Sequence, residues 1–274
     1  MKSILSFIFL ILFTTSVVSQ VSKTVELSAP GTLSSILTST EKATITNLTL
    51  RGNIDARDIK CLRDEVIELT VLDISSTTIK SYSGTLGTHP SVESYPANEL
   101  PQYSFCTPTI ISKNKLKDVV LPNSITSIGN SAFYECDGLL SAVIPNSVVS
   151  IGDYAFNYCD SIKSITLGTG LQSIGDQCLY KSGIKVIHSL SLVPPSLGGL
   201  ALGQNYISIV YVPAASVNAY KSASGWSVMP IAIDQLVSIN NTTAGTLAAN
   251  IASSGFQLSS ISKLKISGWM NSAD

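Results

Sequence analysis

A tandem repeat constrains the fold of this chain more than any other feature of its sequence. Three landmarks recur after the same step of about 23 residues: Ile128 and Ile151, Phe133 and Phe156, Cys136 and Cys159. A third copy begins at Ile162, and a fourth begins at Ile184 and dissolves at Val193-Pro194-Pro195. One copy cannot bury its apolar groups alone, whereas stacked copies build a continuous core. Adjacent copies at a fixed period therefore predict a β-rich α/β solenoid.

The residues within one copy explain its length. A short strand that enters and leaves through bends would turn three apolar side chains inward: Leu116, Val119 and Leu121. Pro122 ends strand pairing because it has no N–H donor. Ser127-Ile128 offers a second short extended piece, and Ala132-Phe133 then begins a short helical turn that carries an aromatic ring under the coil.

The cysteines at the repeat position, Cys136 and Cys159, are expected to stack about 4.8 Å apart on neighbouring coils. We interpret them as buried free thiols, and a disulfide between neighbouring coils is the alternative at that spacing. Ser182 takes the matching place in the third copy, so a small polar residue is tolerated there. Five cysteines are an odd number, which excludes a complete disulfide framework within one chain.

The full string of one copy, L-x-x-V-x-L/I-P-N-S-V-x-S-I-G-x-x-A-F-x-x-C, resembles the BspA-like class of bacterial surface leucine-rich repeats. The clear copies cover 116–187, and weaker pieces at Leu69–Ser75, Thr78–Lys80 and Glu99–Phe105 extend the resemblance towards the N-terminus. The resemblance implies a cell-surface or secreted binding protein, which in some members is an adhesin. It does not imply a particular ligand.

The first residues predict export. A lysine at position 2, an apolar run over 4–13 and small residues near Ser19 are typical of a secretory signal peptide at 1–19. The apolar run is shorter than the roughly 20 residues that span a bilayer. A buried N-terminal helix is the alternative.

The rest of the chain divides into four parts. An N-terminal cap is predicted at 20–66, with a helix over 30–37, a strand over 43–50 and a helix over 56–62. The repeat solenoid and its C-terminal cap follow at 67–226, and 227–238 is a linker or closing strand. Residues 239–274 echo the head of the chain, because Gly245 and Gly268 follow Gly31 and Gly52 at nearly equal offsets. We interpret them as the start of a second, truncated cap-like module; the alternative is a small finished cap.

The charge pattern and the motifs argue against several functions. A formal net charge of −1 without a basic stripe gives no footprint for nucleic acid. The two histidines, His89 and His188, have no metal-ligand neighbour at useful spacing, and neither a nucleophile elbow nor a phosphate loop occurs. We therefore predict no catalytic residue, cofactor or metal. Several turn carboxylates are interpreted as solvated rather than as a glycosidase pair: Asp118, Glu135, Asp137, Asp153 and Asp160.

Stacked copies predict one continuous strand face, which we take as the candidate binding face. Its outward positions are Asp118, Val120, Ser141, Val143, Ser164, Thr166, Val186 and His188. This mildly apolar, nearly uncharged surface suits a protein or glycan partner on host or neighbouring cells, and a bare sheet without a ligand is the alternative. The insertion between Ser81 and Pro101 is a second candidate contact. The predicted function is adhesion or recognition at the cell surface; the alternative is a periplasmic or secreted structural scaffold.

Overall fold

A computed structural model describes residues 20–107, 109, 112–203, 206–234, 236–241 and 263–268. The expected signal peptide at 1–19 lies outside these residues, as does most of the expected second module at 239–274. In the described part, no helix is long and apolar enough to cross a membrane.

The N-terminal segment alternates strands with short helices. Its elements are β1 (Ser22–Leu27), α1 (Leu33–Ile36), α2 (Ser39–Thr44), β2 (Asn47–Ile54), α3 (Ala56–Asp64) and β3 (Val71–Ile79). The three strands are parallel and adjacent in the order β1-β2-β3. Helix α3 covers the helix expected at 56–62, whereas the strand expected at 43–50 begins only at Asn47.

The difference at 43–50 has a local cause. The Thr38 side chain accepts from the Glu41 amide, and the Glu41 side chain accepts from the Thr38 amide. This reciprocal capping box satisfies free amides at a helix start. Helix α2 therefore forms and occupies residues that the β-branched pattern had favoured as strand.

Thirteen strands follow among the described residues up to position 233. They are β4 (Tyr82–Ser83), β5 (Ser94–Tyr95), β6 (Glu99–Leu100), β7 (Asp118–Val120), β8 (Ser127–Ile128), β9 (Ser141–Val143), β10 (Ser150–Ile151), β11 (Ser164–Leu167), β12 (Ser173–Ile174), β13 (Val186–Ser189), β14 (Ser196–Leu197), β15 (Ile209–Val212) and β16 (Ile231–Ile233). Each repeat contributes one strand to each of two faces. The long face has the order β1-β2-β3-β7 followed by β9-β11-β13-β15-β16, and the second sheet has the order β6-β8-β10-β12-β14.

The two ladders of the long face adjoin each other. The amide of Leu140, just before β9, donates to the carbonyl of Lys117, just before β7, at 3.1 Å. In the next two coils the Lys163 amide donates in the same way to the Leu140 carbonyl, and the Lys185 amide donates to the Lys163 carbonyl. Neighbouring strands are parallel in both sheets, as expected when each coil repeats the path of the last.

Aromatic rings fill the inside of the turns that follow the second sheet. Phe105, Phe133 and Phe156 stack with ring centroids 5.0 and 4.9 Å apart, and all three are buried. The expected helical turn at Ala132-Phe133 is a run of hydrogen-bonded turns instead, with Ser131 and Glu135 in the left-handed region at φ 54° and 52°. The ring nevertheless lies under the coil, as the repeat predicts.

The end of the solenoid is closed by a short helical segment. A 3-10 turn (Ala214–Ser216) leads into α4 (Val217–Ser222), and the rings of Tyr220 and Trp226 pack edge to face inside it. The Trp226 indole N–H donates to the Pro195 carbonyl at 2.8 Å. Within 227–238, where a linker or closing strand was expected, β16 pairs with β15.

Two further strands repeat the geometry of the first two. β17 (Leu236–Asn241) and β18 (Lys263–Gly268) pair in parallel along their whole length, as β1 and β2 do. β17 begins as far after β1 as Gly245 follows Gly31, and β18 begins as far after β2 as Gly268 follows Gly52.

The insertion between β3 and β7 is tied to helix α3 by two buried cations. The Arg63 guanidinium donates to the carbonyls of Thr88, Tyr103 and Cys106 at 2.7, 2.7 and 3.3 Å. The Lys113 ammonium donates to the Arg63 and Val66 carbonyls at the C-terminal end of the helix. Cations at this end also oppose the negative pole of the helix dipole.

Replacing Arg63 with methionine is expected to loosen the insertion. Three buried carbonyls would lose their donor, and we expect a loss of roughly 2 to 3 kcal/mol in the free energy of unfolding. Limited proteolysis followed by mass spectrometry should show faster cleavage within 81–107. The same substitution at the exposed Arg51 is the control and should leave the cleavage pattern unchanged. Equal cleavage of both variants would contradict the clamp.

Candidate binding face

The predicted face residues lie together in two columns across the long face. Strand register places Ser141, Ser164, Val186 and Ile209 in one column, and Val143, Thr166, His188 and Tyr211 in the other. Asp118 and Val120 lie on β7, the strand next to β9. The side chains between the columns point inward, because successive residues of a strand alternate between the two faces. All eight predicted residues therefore share one surface.

The most exposed part of this face is aliphatic. Val120 is 44% exposed and Val143 is 62% exposed, and the neighbouring Leu140 is also exposed. Asp118 and Ser141 are exposed beside them, whereas the four predicted residues on β11 and β13 are half-buried. Exposed apolar side chains that cluster on a folded surface mark sites of interaction. The predicted face is thus most accessible at β7 and β9.

His188 points outward but is largely covered. Its ring stacks on Tyr211 with centroids 4.9 Å apart, and its Nδ1 lies 3.0 Å from the Asp234 carboxylate. Tyr211 occupies the same strand position one coil later, so the repeat could have predicted it. Asp234 is 46 residues from His188, and no local pattern indicates that contact. The end of the face near β13 is consequently less open than expected.

Lysines border the exposed aliphatic part. A lysine precedes three strands of the long face: Lys117 before β7, Lys163 before β11 and Lys185 before β13, and all three are exposed. The Lys163 ammonium donates to the carbonyl of Asp160, and Lys185 lies 5.4 Å from the Tyr206 ring centroid. These lysines were not among the predicted face residues, although they recur at one repeat position.

Some of the turn carboxylates form hydrogen bonds between neighbouring coils. Asp153 was expected to be a solvated turn residue, but its Oδ1 accepts from the Asp176 amide of the next coil at 2.8 Å. Asn130 and Asp176 make the same bond one coil earlier and later, at 2.9 and 2.6 Å. Partial desolvation raises the pKa of Asp137. Within the described ranges no group of three His, Cys, Asp or Glu residues is placed to hold a metal ion.

The second candidate contact, between Ser81 and Pro101, carries a small antiparallel hairpin of β4 and β5. The rings of Tyr82 and Tyr95 stack across it at 6.0 Å, and Tyr95 donates to the His89 carbonyl. Leu86 at its tip is 63% exposed. The second candidate contact is therefore an ordered hairpin rather than a loose loop.

The cysteines are structural. All five are free thiols and buried in the structure, so Cys136 and Cys159 are not bridged. The Cys159 thiol donates to the Phe133 carbonyl at 2.9 Å, and the Cys136 thiol lies 3.7 Å from the Phe105 carbonyl. Burial raises the pKa of each of these thiols. A raised pKa keeps them protonated and makes them poor nucleophiles.

Comparison with known proteins identifies the repeat. Residues 98–195 match the model of the BspA type leucine rich repeat region in six copies. No curated protein matches the chain.

Proposed function

Residues 98–195 are a BspA-type leucine-rich-repeat region, and from this premise we propose that the protein is exported and binds a protein or glycan partner at the cell surface. The long face, from β7 to β13, is the proposed contact. No catalytic role is proposed for any residue.

The single observation that carries the proposal is the exposed aliphatic part of this face. Val120, Leu140 and Val143 lie on or beside adjacent strands and remain in water, whereas the solenoid buries most aliphatic residues of the repeats. The lysines that border them supply a charged rim. An apolar centre within a polar rim is the usual anatomy of a protein-binding surface.

The test is a paired substitution of the face. Val143→Arg together with Thr166→Arg puts two charged side chains on neighbouring strands, and we expect binding to weaken by tenfold or more. The measurement is binding of the full chain to immobilised matrix proteins and to a glycan array. Because both side chains point outward, thermal unfolding should stay unchanged. Ile36→Arg, at an exposed position of helix α1 outside both candidate contacts, is the matched control; equal affinity of all three proteins would reject the face as the contact.

Export has its own test. Protease treatment of intact cells that express the native chain is expected to release repeat peptides, with lysed cells as the control. Protection until lysis would place the repeats inside the envelope. The scaffold role would then be the better account.

A further inference from the structure

The two faces of the solenoid end at different coils. The long face continues through β15 and β16, whereas the second sheet stops at β14. After β15 the chain enters the 3-10 turn and α4 in place of another second-sheet strand. The long face therefore extends beyond the second sheet at this end of the solenoid.

Within the part of the chain that the structure describes, no strand pairs with the outer edge of β14. The amides of Ser196 and Gly198 donate to carbonyls on the β12 side, to Gln172 and Ile174, both at 2.8 Å. Hydrogen bonds of a strand alternate between its two sides. The amide and carbonyl of Leu197 therefore point away from β12, to the side where the described residues place no further strand of this sheet. The carbonyl of Pro195 on this side is taken by Trp226.

A groove of about 770 Å³ lies along this edge. Among the described residues its walls come from Pro194–Gly198, Leu200–Gly203, Tyr206, Ile207, Ala223–Gly225 and Val228–Pro230, none of which is charged. Leu200 is 62% exposed and Val228 is 83% exposed, although both are aliphatic. The volume falls within the range of sites that bind ligands. The groove thus combines backbone groups that no described strand pairs with and a largely apolar, uncharged wall.

We propose that this groove binds an extended, uncharged peptide segment of a partner protein, which adds a strand to β14. The peptide backbone pairs with Leu197, and an aliphatic side chain packs between Leu200 and Val228. Pairing at a sheet edge supplies affinity through the main chain, and the pocket beside it selects the side chain. A charged segment is excluded by the wall, since a buried charge without a partner is strongly unfavourable. An acyl chain would fill the groove but leave the polar groups of Leu197 unpaired.

The repeat itself supplies a probe. Residues 146–152, Asn-Ser-Val-Val-Ser-Ile-Gly, are uncharged and contain β10, which pairs with a second-sheet strand on each side. Within the solenoid the Gly152 amide donates to the Ile128 carbonyl at 2.8 Å. In the groove the same amide would donate to the Leu197 carbonyl. The probe is this heptapeptide with a fluorescent label and blocked ends.

The experiment is a fluorescence polarisation titration of the full chain against this peptide. We expect saturable binding that weakens about tenfold or more when Val228→Glu places a charge on the wall. Leu86→Glu, an exposed leucine outside the groove, is the matched control and should bind as the wild type does. A peptide N-methylated at its final glycine lacks the pairing amide and should bind at least tenfold more weakly.

Three results would overturn the proposal. Absence of saturable binding would show that the groove does not accept an added strand or that another part of the chain already fills it. Equal binding of the N-methylated peptide would reduce the site to apolar adhesion. Sedimentation of the full chain as a dimer that Val228→Glu dissociates would identify a second copy as the occupant. The face variant with Val143→Arg and Thr166→Arg should bind the peptide normally, so this test is independent of the proposed function.

Discussion

Raising the pH from 8 to 10.5 is expected to lower the free energy of unfolding by about 6 kcal/mol through three buried thiols, Cys136, Cys159 and Cys178. All three are fully shielded from water. Burial raises the pKa of Cys178 to about 12 and raises the pKa of the other two as well, from an ordinary value of 9.0. The unfolded chain therefore releases these protons above pH 9 while the folded chain retains them.

The sign of the effect follows from this difference. Below pH 9 the thiols are protonated in both states and their contribution is fully present. As pH rises above 9 the unfolded state loses protons first, so stability falls by about 1.4 kcal/mol per pH unit for each thiol. Each thiol then contributes about 2 kcal/mol of the loss at pH 10.5. Burial lowers the pKa of Lys113 to about 8, and this group acts in the opposite direction over the same range.

A variant taken from the repeat itself isolates the thiols. Cys136→Ser and Cys159→Ser copy Ser182, which occupies their position in the third copy, and Cys178→Ala copies Ala155. Lys113 and the tyrosines are common to both proteins and cancel in the comparison. The measurement is urea unfolding at pH 8, 9, 10 and 10.5. Parallel pH profiles for the two proteins would show that the thiols do not govern alkaline stability.

Removing the middle ring of the phenylalanine stack is the second large effect. Phe133→Ala leaves a cavity between two rings that lie 5.0 and 4.9 Å from it, and we expect a loss of about 4 kcal/mol in the free energy of unfolding. The lost stacking with Phe105 and Phe156 adds to the lost burial. Chemical denaturation monitored by circular dichroism measures the change.

The third copy provides the matched control, because Leu179 occupies the position of Phe156 and is buried there. Phe133→Leu keeps most of the volume and should cost only about 1 to 2 kcal/mol. If the alanine and leucine variants lose the same amount, the stack contributes through the identity of the ring rather than through the space that it fills.

The periodic part of the fold follows from the sequence because each copy repeats the same inward positions. Ile128 and Phe133 recur at one step, so their burial and their stacking are fixed by the repeat and not by distant residues. The direction in which Val143 and Thr166 point follows from strand alternation in the same way. The exposed fraction of each side chain does not follow from the repeat, since it depends on the neighbouring strands.

The contacts that sequence reasoning missed join residues far apart in the chain. The Asp234 carboxylate covers His188 across 46 residues, and Arg63 reaches carbonyls 25 to 43 residues away. The repeat predicts neither contact, because each occurs only once. The exception is α2, whose Thr38 and Glu41 carry a recognisable helix-start pattern that the strand prediction overlooked.

The side-chain oxygens of Asn130, Asp153 and Asp176 each hold the backbone of the following coil. Each coil thus offers its successor the same attachment point that it received from its predecessor. Such a chain gains or loses length most easily in whole coils, because any other step would misalign this column together with the rings and the second sheet. The number of coils, and with it the length of the proposed binding surface, can therefore change in evolution while the contacts between neighbouring coils stay the same.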